Sequence, residues 1–341
     1  MEIGLVYNIR HVKPDLKNPQ YLIEAEFDEL STIKTIVGTL RELGHKVHKV
    51  EADQRAYMKL ASLRRKIDLV FNIAEGMHGK DREAQIPAIL EILKIPYTGP
   101  RPLIYALGLD KARSKEIMLA NKIPTPRWQK ISCLKDLKYT LIKFPAIIKP
   151  NGEGSSKGIH ADNLVKNSYE LRERAKKLLK IFPEGIIVEK YLAGREFTVA
   201  ILGTPPKVLP LIEVTFNHLS KDLPKFDHFE AKWLHDEHKG DKPNHLVCPA
   251  RLDKKLEKLI KDTSLKTFAA FEISDWARID LRLDNKGIPN IIEVNCPPGI
   301  VPNPEDNSRF PLAARKAGLS YNKMLERILQ SACRRYSIVY K

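Results

Sequence analysis

Residues 276–295 read WARIDLRLDNKGIPNIIEVN and predict a β-hairpin late in the chain. Apolar and charged residues alternate along Trp276–Leu283, as in a strand with one buried face. Asn290–Asn295 forms the partner strand, and Asp284–Gly287 between them has the composition of a tight turn. This segment therefore predicts two antiparallel strands joined by a tight turn.

One surface of the hairpin is expected to collect polar side chains. If the turn pairs Leu283 with Ile288, then residues two apart on each strand share that surface. The set so collected is Arg278, Asp280, Glu293 and Asn295. Two carboxylates and an amide oxygen are hard ligands that suit Mg²⁺ or Mn²⁺ together with nucleotide phosphates. A solvated polar face on an edge hairpin is the alternative.

A glycine-rich loop, KPNGEGSSKG, occupies residues 149–158 and follows a predicted strand that ends in Lys149. Glycines let backbone N–H groups approach an anion, and the serines and lysines add donors, so the loop can close over phosphates. Its spacing fits neither the Walker A motif nor the dinucleotide fingerprint. A flexible hairpin tip is the alternative.

Two glutamates flank a tight turn further along the chain. Glu189 lies at the end of one predicted strand, and Glu196 opens the next strand, Glu196–Leu202. Such carboxylates can hold ribose hydroxyls, and the backbone between them can contact an adenine edge. Ordinary surface glutamates are the alternative.

The hydrophobic pattern divides the chain into three α/β blocks. Strand Ile3–Tyr7 and a helix at Asp28–Leu43 open the first, which predicts an open parallel α/β layer. The prolines of Ile123–Pro126 introduce the second, and a helix at Lys254–Phe271, capped by Asp253, precedes the hairpin of the third. We expect three domains: residues 1–110, 111–195 and 196–341.

Composition excludes several classes of protein. The 341 residues include 58 basic and 42 acidic ones, a net charge of +16 that attracts polyanions. The lysines are dispersed over amphipathic helices and aromatics are only 7% of the residues, so no specific nucleic-acid site is expected. No apolar run is long enough to cross a bilayer and the first residues predict a strand, so we expect a cytoplasmic protein. Four separated cysteines predict neither disulfides nor a zinc site.

Taken together, the motifs resemble the ATP-grasp carboxylate–amine ligases, and within that superfamily the D-alanine:D-alanine ligase family. The resemblance covers nearly the whole chain and implies an ATP-grasp fold behind an N-terminal α/β domain. Its segments occur in the family's order: Lys111, Lys149, Glu153–Gly158, Glu189, Gly194–Glu196, Glu230–Lys232, Arg278–Asp280 and Glu293–Gly299.

The resemblance implies ATP and two Mg²⁺ or Mn²⁺ ions as cofactors. It implies ATP contacts for Lys111, Lys149, Ser155, Ser156, Glu189, Leu192, Glu196 and Lys232. It implies metal ligands at Asp280, Glu293 and Asn295. It implies catalytic roles for Arg278, Ser155 and Lys232, with Arg278 stabilising the charge of a tetrahedral intermediate.

The implied reaction activates one amino acid's carboxylate as an acyl phosphate, which the amine of a second amino acid then attacks. The expected product is D-alanyl-D-alanine, a peptidoglycan precursor, and a homodimer is typical of many relatives. An ATP-grasp ligase with another amino acid or amine acceptor is one alternative. A basic nucleotide- or nucleic-acid-binding protein without ligase activity is the other.

The substrate positions depart from the family pattern. Glu26 is the candidate for holding the first amino group, with Glu24 as the alternative, while Gly299 and Ser308 are candidates for the second amino acid. Glu75 replaces a histidine typical of the family, and Trp233 replaces a tyrosine. A small insertion at Pro304–Asp306 precedes Ser308. These departures concern the amino acids rather than ATP.

Overall fold

The chain begins with a parallel sheet and its helices. The computed structural model describes residues 1–13, 24–154, 157–217, 219, 223–226 and 245–341. Its first elements are β1 (Glu2–Tyr7), α1 (Leu30–Glu42), β2 (Lys46–Glu51), α2 (Ala56–Leu63), β3 (Leu69–Asn72), α3 (Gln85–Leu93), α4 (Pro102–Leu109) and α5 (Lys111–Ala120). The three strands are parallel in the order β2-β1-β3, which confirms the predicted open parallel layer.

Helix α1 shows how the sequence sets these elements. Ile33, Ile36 and Leu40 recur at helical spacing and are buried against the sheet. After the helix Gly44 has φ +85°, a left-handed conformation that costs glycine little, and the chain turns there into β2. The helix is two residues shorter at its start than the predicted Asp28–Leu43.

A four-stranded antiparallel sheet follows. It contains β4 (Trp128–Ile131), β5 (Ala146–Pro150), β6 (Leu164–Val165) and β7 (Ile186–Lys190) in the order β4-β7-β5-β6. Helix α6 (Ser168–Ile181) covers one face of this sheet with Leu171, Ala175 and Leu178. Charged residues such as Arg172, Lys176 and Lys177 lie on its exposed side, as the amphipathic pattern predicts.

A six-stranded sheet carries the hairpin. It contains β8 (Glu196–Leu202), β9 (Lys207–Val208), β10 (Ile212–Val214), β11 (Leu246–Val247), β12 (Trp276–Leu283) and β13 (Pro289–Asn295). The order is β11-β10-β8-β12-β13, with β9 beside β8. Helix α7 (Lys254–Ala270) precedes the hairpin, and Asp253 accepts a 2.8 Å hydrogen bond from the Leu256 N–H, so the predicted cap is confirmed.

The last two helices, α8 (Arg309–Lys316) and α9 (Tyr321–Arg335), return to the first sheet. Leu325 and Ile328 of α9 belong to the same buried core as Ile36 and Leu40 of α1. Within the described ranges, no helix combines the length and the apolar content needed to cross a bilayer.

A buried carboxylate joins the segment after the first α/β layer to the last helix. Asp275 is fully buried and accepts hydrogen bonds from the Gly99 N–H (2.9 Å), Ser331 Oγ (2.9 Å) and Arg335 Nη2 (2.7 Å). These three donors satisfy both oxygens of the buried carboxylate. Asp275 is the residue immediately before β12. It therefore connects Gly99, between α3 and α4, to α9.

Candidate functional site

A cleft lies between the four-stranded and six-stranded sheets and encloses about 770 Å³ of space open to solvent. Both sheets contribute charged side chains to its walls. Seven of the residues singled out in the sequence line it: Lys111, Lys149, Glu189, Leu192, Glu196, Asp280 and Glu293. They come from segments up to 182 positions apart in a 341-residue chain, so only the fold brings them together.

The hairpin confirms the shared polar face but not the expected register. Leu283 pairs with Pro289, not with Ile288, because Asp284 accepts the Ile288 N–H and the turn includes one more residue than predicted. Continued without interruption, this register would place Glu293 on the opposite face, since a shift of one residue reverses a strand's side chains.

A β-bulge restores the polar face. Leu281 pairs with Ile291 but Asp280 pairs with Glu293, so Ile292 is an extra residue on β13. Beyond the bulge Arg278 pairs with Asn295. The four polar residues therefore share a surface through a turn and a bulge that the sequence analysis did not include.

Asp280 is the centre of this surface. Its Oδ1 accepts a 2.7 Å hydrogen bond from Thr198 Oγ1, and its Oδ2 accepts bonds from Arg278 Nη2 (2.9 Å) and Asn295 Nδ2 (3.1 Å). The Asp280 side chain is only 9% exposed. These donors fix the position of the carboxylate in the wall of the cleft.

The oxygens of Asp280, Glu293 and Asn295 fit a hard divalent cation in ligand type. No group of three or more His, Cys, Asp or Glu residues suited to a metal occurs within the described part of the chain. Two carboxylates and one amide leave coordination positions for oxygens of another molecule. The arrangement thus suits a cation that binds together with an anionic ligand such as a phosphate.

A buried ion triad lies behind the cleft. Glu189 contacts Lys149 Nζ at 3.1 Å and Lys115 Nζ at 3.2 Å, and Lys115 is fully buried. Burial opposes charge on Glu189, but the two ammonium groups outweigh it and lower the pKa of the carboxyl. Burial lowers the pKa of Lys115 to about 8. The ion pair between Lys149 and Glu189 therefore fixes the relative position of these two side chains.

Lys115 was missed by the sequence analysis. It follows Lys111 by four residues on α5, so the two lysines share a helix face, and this spacing was the available signal. Lys115 Nζ also lies 2.8 Å from Thr125 Oγ1 and 3.5 Å from the carbonyl of Ile292 in the bulge. It connects the triad to the hairpin.

Lys111 begins α5 beside the glycine-rich loop. The loop residue Asn151 accepts the Lys111 N–H through its carbonyl (3.2 Å) and the Ala112 N–H through Oδ1 (3.0 Å). Lys111 Nζ donates to the carbonyl of Glu153 and lies 3.9 Å from Glu293 Oε2. Burial lowers the pKa of Lys111, and the Glu293 carboxylate limits that change. The Lys111 ammonium group thus lies between the glycine-rich loop and the hairpin.

Glu196 lies at the other end of the cleft. It pairs with Arg282 Nη1 at 3.3 Å, and the guanidinium also stacks 4.9 Å above the ring of Tyr191. Leu192 is buried in the same wall. Arg282 lies on the same face of β12 as Arg278 and Asp280, but its sequence position alone indicated no role.

The two candidates for the first amino group have different surroundings. Glu24 is buried and its Oε2 accepts the N–H groups of His11 (2.7 Å) and Val12 (3.3 Å), so it serves the backbone. Glu26 instead faces the glycine-rich loop, with its Oε2 2.5 Å from Arg82 Nη2. Geometry favours Glu26 over the alternative.

Gly299 and Ser308 also come together. Ser308 precedes α8, and its Oγ donates a 3.2 Å hydrogen bond to the carbonyl of Gly299. The expected insertion forms a short 3₁₀ turn, Pro304–Asp306, between them. Neither Gly299 nor Ser308 is among the residues lining the cleft around Lys149. Ser155, Ser156, Lys232 and Trp233 lie outside the described residues.

A family model and two named relatives agree on the same family of proteins. A family described as D-ala D-ala ligase C-terminus matches residues 118–330. A D-alanine–D-alanine ligase of Aquifex aeolicus is 34% identical, covering 88% of this chain and 94% of that protein. The corresponding ligase of Nitrosococcus oceani is 32% identical, covering 92% of each. Protein y4sG of Sinorhizobium fredii, which has no named activity, is 35% identical, covering 89% of this chain and 87% of its own length.

Solved structures show the same fold. The D-alanine–D-alanine ligase of Bacillus anthracis, complexed with ATP, superimposes with a TM-score of 0.72 at 23% identity, covering 99% of both chains. The enzyme of Coxiella burnetii gives a TM-score of 0.71 at 19% identity, covering 99% of this chain and 95% of that one. These similarities confirm the predicted ATP-grasp architecture.

Proposed function

The chain belongs to the D-alanine–D-alanine ligase family, and we propose that it is an ATP-dependent ligase that joins two amino acids, D-alanine to D-alanine by family resemblance. One observation carries the proposal: Lys111, Lys149 and Glu189 face Asp280 and Glu293 across a single cleft. Cations and carboxylates so arranged suit a nucleotide triphosphate and its metal.

The proposed reaction has two steps. The carboxylate oxygen of the first amino acid attacks the γ-phosphorus of ATP, the bond to the β-phosphate oxygen breaks, and an acyl phosphate and ADP form. The neutral amine of the second amino acid then attacks the acyl carbon, phosphate leaves with the C–O bond pair, and the amine loses a proton. A free carboxylate is too poor an electrophile for the second step alone, which is why the first is needed.

The chain's own residues bind and orient these groups. Lys111 and Lys149 supply positive charge for the phosphates, and the glycine-rich loop with Ser155 and Ser156 closes over them and excludes water that would hydrolyse the acyl phosphate. Glu189 and Leu192 form the adenine site, and Glu196 holds the ribose. Lys232 is assigned to the γ-phosphate by the family resemblance.

Asp280, Glu293 and Asn295 would hold Mg²⁺ or Mn²⁺, two ions in this proposal, since ATP and divalent metal use is general in the family. Bound there, the cations neutralise phosphate charge. Arg278 already lies at Asp280, where its guanidinium can stabilise the oxyanion that forms as the amine attacks. Glu26 holds the first amino group, and Gly299 and Ser308 receive the second amino acid.

A second candidate keeps the fold and chemistry but changes an amino acid. It is favoured by the ion pair between Glu26 and Arg82 and by Glu75 in the same region, which alter the charge around the first substrate.

The test is release of ADP from Mg-ATP by purified protein, screened against single D- and L-amino acids and their pairs, with products identified by mass spectrometry. We expect D-alanine to give ADP, phosphate and dipeptide in equal amounts, and Asp280→Ala to abolish all three. Turnover only with other pairs would select the second candidate. No amino-acid-dependent release would contradict the ligase proposal.

The remaining expectations concern organisation. We propose that residues 1–110, 111–195 and 196–341 are the three domains, supported by the three separate sheets. The homodimer and the cytoplasmic location stay predictions.

A further inference from the structure

Arg82 makes an ion pair that the proposed mechanism does not use. It begins the short 3₁₀ turn before α3, and its Nη2 lies 2.5 Å from Glu26 Oε2. The side chains are only 11% and 5% exposed. A charged pair this well shielded from water is held in one geometry more firmly than a surface pair.

The same guanidinium reaches the glycine-rich loop. Arg82 Nη1 donates a 3.2 Å hydrogen bond to the carbonyl of Gly152, and Nη2 lies 3.5 Å from Glu153 Oε2. Glu153 in turn binds Lys157 Nζ at 3.2 Å, and its carbonyl accepts from Lys111. Arg82 therefore links the first α/β layer to the loop expected to close over ATP.

The backbone fits closely around this pair. A Cβ on Gly154 would overlap Glu26 Oε1, so a larger residue there would displace the carboxylate from its present position. A Cβ on Gly76, where φ is +76°, would overlap the carbonyl of Arg82. Two glycines thus allow the close approach that brings Arg82, Glu26 and the loop together.

The charges leave Glu26 with one oxygen for a ligand. Oε2 accepts from Arg82, whereas Oε1 accepts no hydrogen bond from any residue that the structure describes. Burial opposes the charge on Arg82, but Glu26 and Glu153 outweigh it and raise the pKa of the guanidinium. Arg82 is thus a permanent cation with fixed partners on both sides.

We propose that Arg82 is a positioning residue for the first amino acid: it holds Glu26 Oε2 so that Oε1 receives the substrate's ammonium group beneath the glycine-rich loop, and it couples that site to the loop through Gly152 and Glu153. This inference rests on the proposed ligase function. It predicts that occupation of the amino-acid site and ordering of the loop depend on the same guanidinium.

The kinetic test compares Arg82→Gln and Arg82→Lys with Arg101→Gln, a matched change at an exposed pair. Loss of a charge-assisted contact predicts a rise of about 10-fold or more in KM for the first amino acid, a rise of less than about 2-fold in KM for ATP, and partial recovery in Arg82→Lys. A merely structural role would not separate the two KM values. An unchanged amino-acid KM in Arg82→Gln would overturn the inference.

A double-mutant cycle with Glu26→Gln isolates the pair. If Arg82 acts through Glu26, Arg82→Gln adds little to the KM of Glu26→Gln, whereas independent, multiplying effects would contradict the inference. Amide exchange of residues 151–154 without substrates supplies a readout besides activity, and we expect faster exchange in Arg82→Gln than in Arg101→Gln. Equal exchange would contradict the coupling to the loop.

The wild-type protein separates the two hypotheses. Wild-type turnover with an unaffected Arg82→Gln variant contradicts only the role of Arg82. A wild type that releases no ADP with any amino acid contradicts the ligase function, and the assigned role of Arg82 with it.

Discussion

Asp280 lies directly opposite Glu293 across β12 and β13, because Ile292 is an extra residue on one strand of the hairpin. The bulge places both carboxylates on the wall of the cleft. Without it the two side chains would point to opposite faces of the sheet. The relationship makes the pair, rather than either residue alone, the feature on which the proposed metal site depends.

The first prediction concerns this pair. Asp280→Asn and Glu293→Gln should each lower ADP release roughly 100-fold or more and raise the Mg²⁺ concentration needed for half-maximal rate, because each removes an anionic ligand. The measurement is a Mg²⁺ titration of the ADP-release rate. Glu257→Gln on the exposed side of α7 is the control and should behave as wild type. Unchanged rates in both site variants would contradict the metal assignment.

The second prediction concerns the buried triad. Lys115→Met leaves Glu189 with Lys149 alone and should lower the free energy of unfolding by about 3–5 kcal/mol, because a buried charge loses a partner. Urea denaturation measures the change. The double variant Lys115→Met/Glu189→Gln should lose less than the single one, and the exposed Lys258→Met should show no measurable loss. A Lys115→Met protein as stable as wild type would show that Glu189 does not need Lys115 as a second partner.

The third prediction concerns the close approach of the β7–β8 turn to the end of β12. A Cβ on Gly194 would overlap the carbonyl oxygen of Leu283 and lie 2.9 Å from its carbonyl carbon, so Gly194→Ala should destabilise by about 1–3 kcal/mol. Gly38 is the matched control, because a Cβ there meets nothing within 4 Å inside α1. Gly38→Ala should stabilise by up to about 1 kcal/mol. Equal effects of the two changes in urea denaturation would refute the packing argument.

The fourth prediction concerns pH. Burial, together with the nearby Glu26 carboxylate, raises the pKa of Glu83 to about 8. The native state therefore holds this proton more tightly than the unfolded chain, where the pKa is near 4.5. The stability linked to Glu83 is fully present below the unfolded pKa and declines as pH rises toward about 8, with a slope of at most about 1.4 kcal/mol per pH unit.

The variant Glu83→Gln should flatten this decline, since the amide does not titrate. The measurement is the free energy of unfolding in urea at several values between about pH 5 and pH 8. Glu257→Gln serves again as the exposed control and should keep the wild-type slope. A wild-type slope in Glu83→Gln would assign the pH dependence to other groups.

Part of the site could be predicted because it is local. Alternation along β12 and β13 put Arg278 with Asp280 and Glu293 with Asn295, since side chains of a strand alternate with period two. The glycine-rich loop was likewise recognisable from residue type. The register between the strands was wrong, because it depends on how a turn and a bulge close against β8.

Pairs far apart in sequence were not predicted. Arg82 meets Glu26 across 56 residues, and Lys115 meets Glu189 across 74. Lysines, arginines and glutamates are common in this chain, and nothing in their local sequence distinguishes a buried partner from a solvated one. Only the packing of the two sheets and the first α/β layer selects them.

The sequence by itself determined the strands, the helix faces, the glycine-rich loop and the family, because these follow from local periodicity and from motifs in order. The tertiary structure alone decided the bulge at Ile292, the triad around Glu189 and the contact of Arg82 with both Glu26 and the loop. The physical reason is that burial and pairing of charge are properties of the assembled cleft: removing an ion from water costs free energy that only a partner from a distant segment offsets.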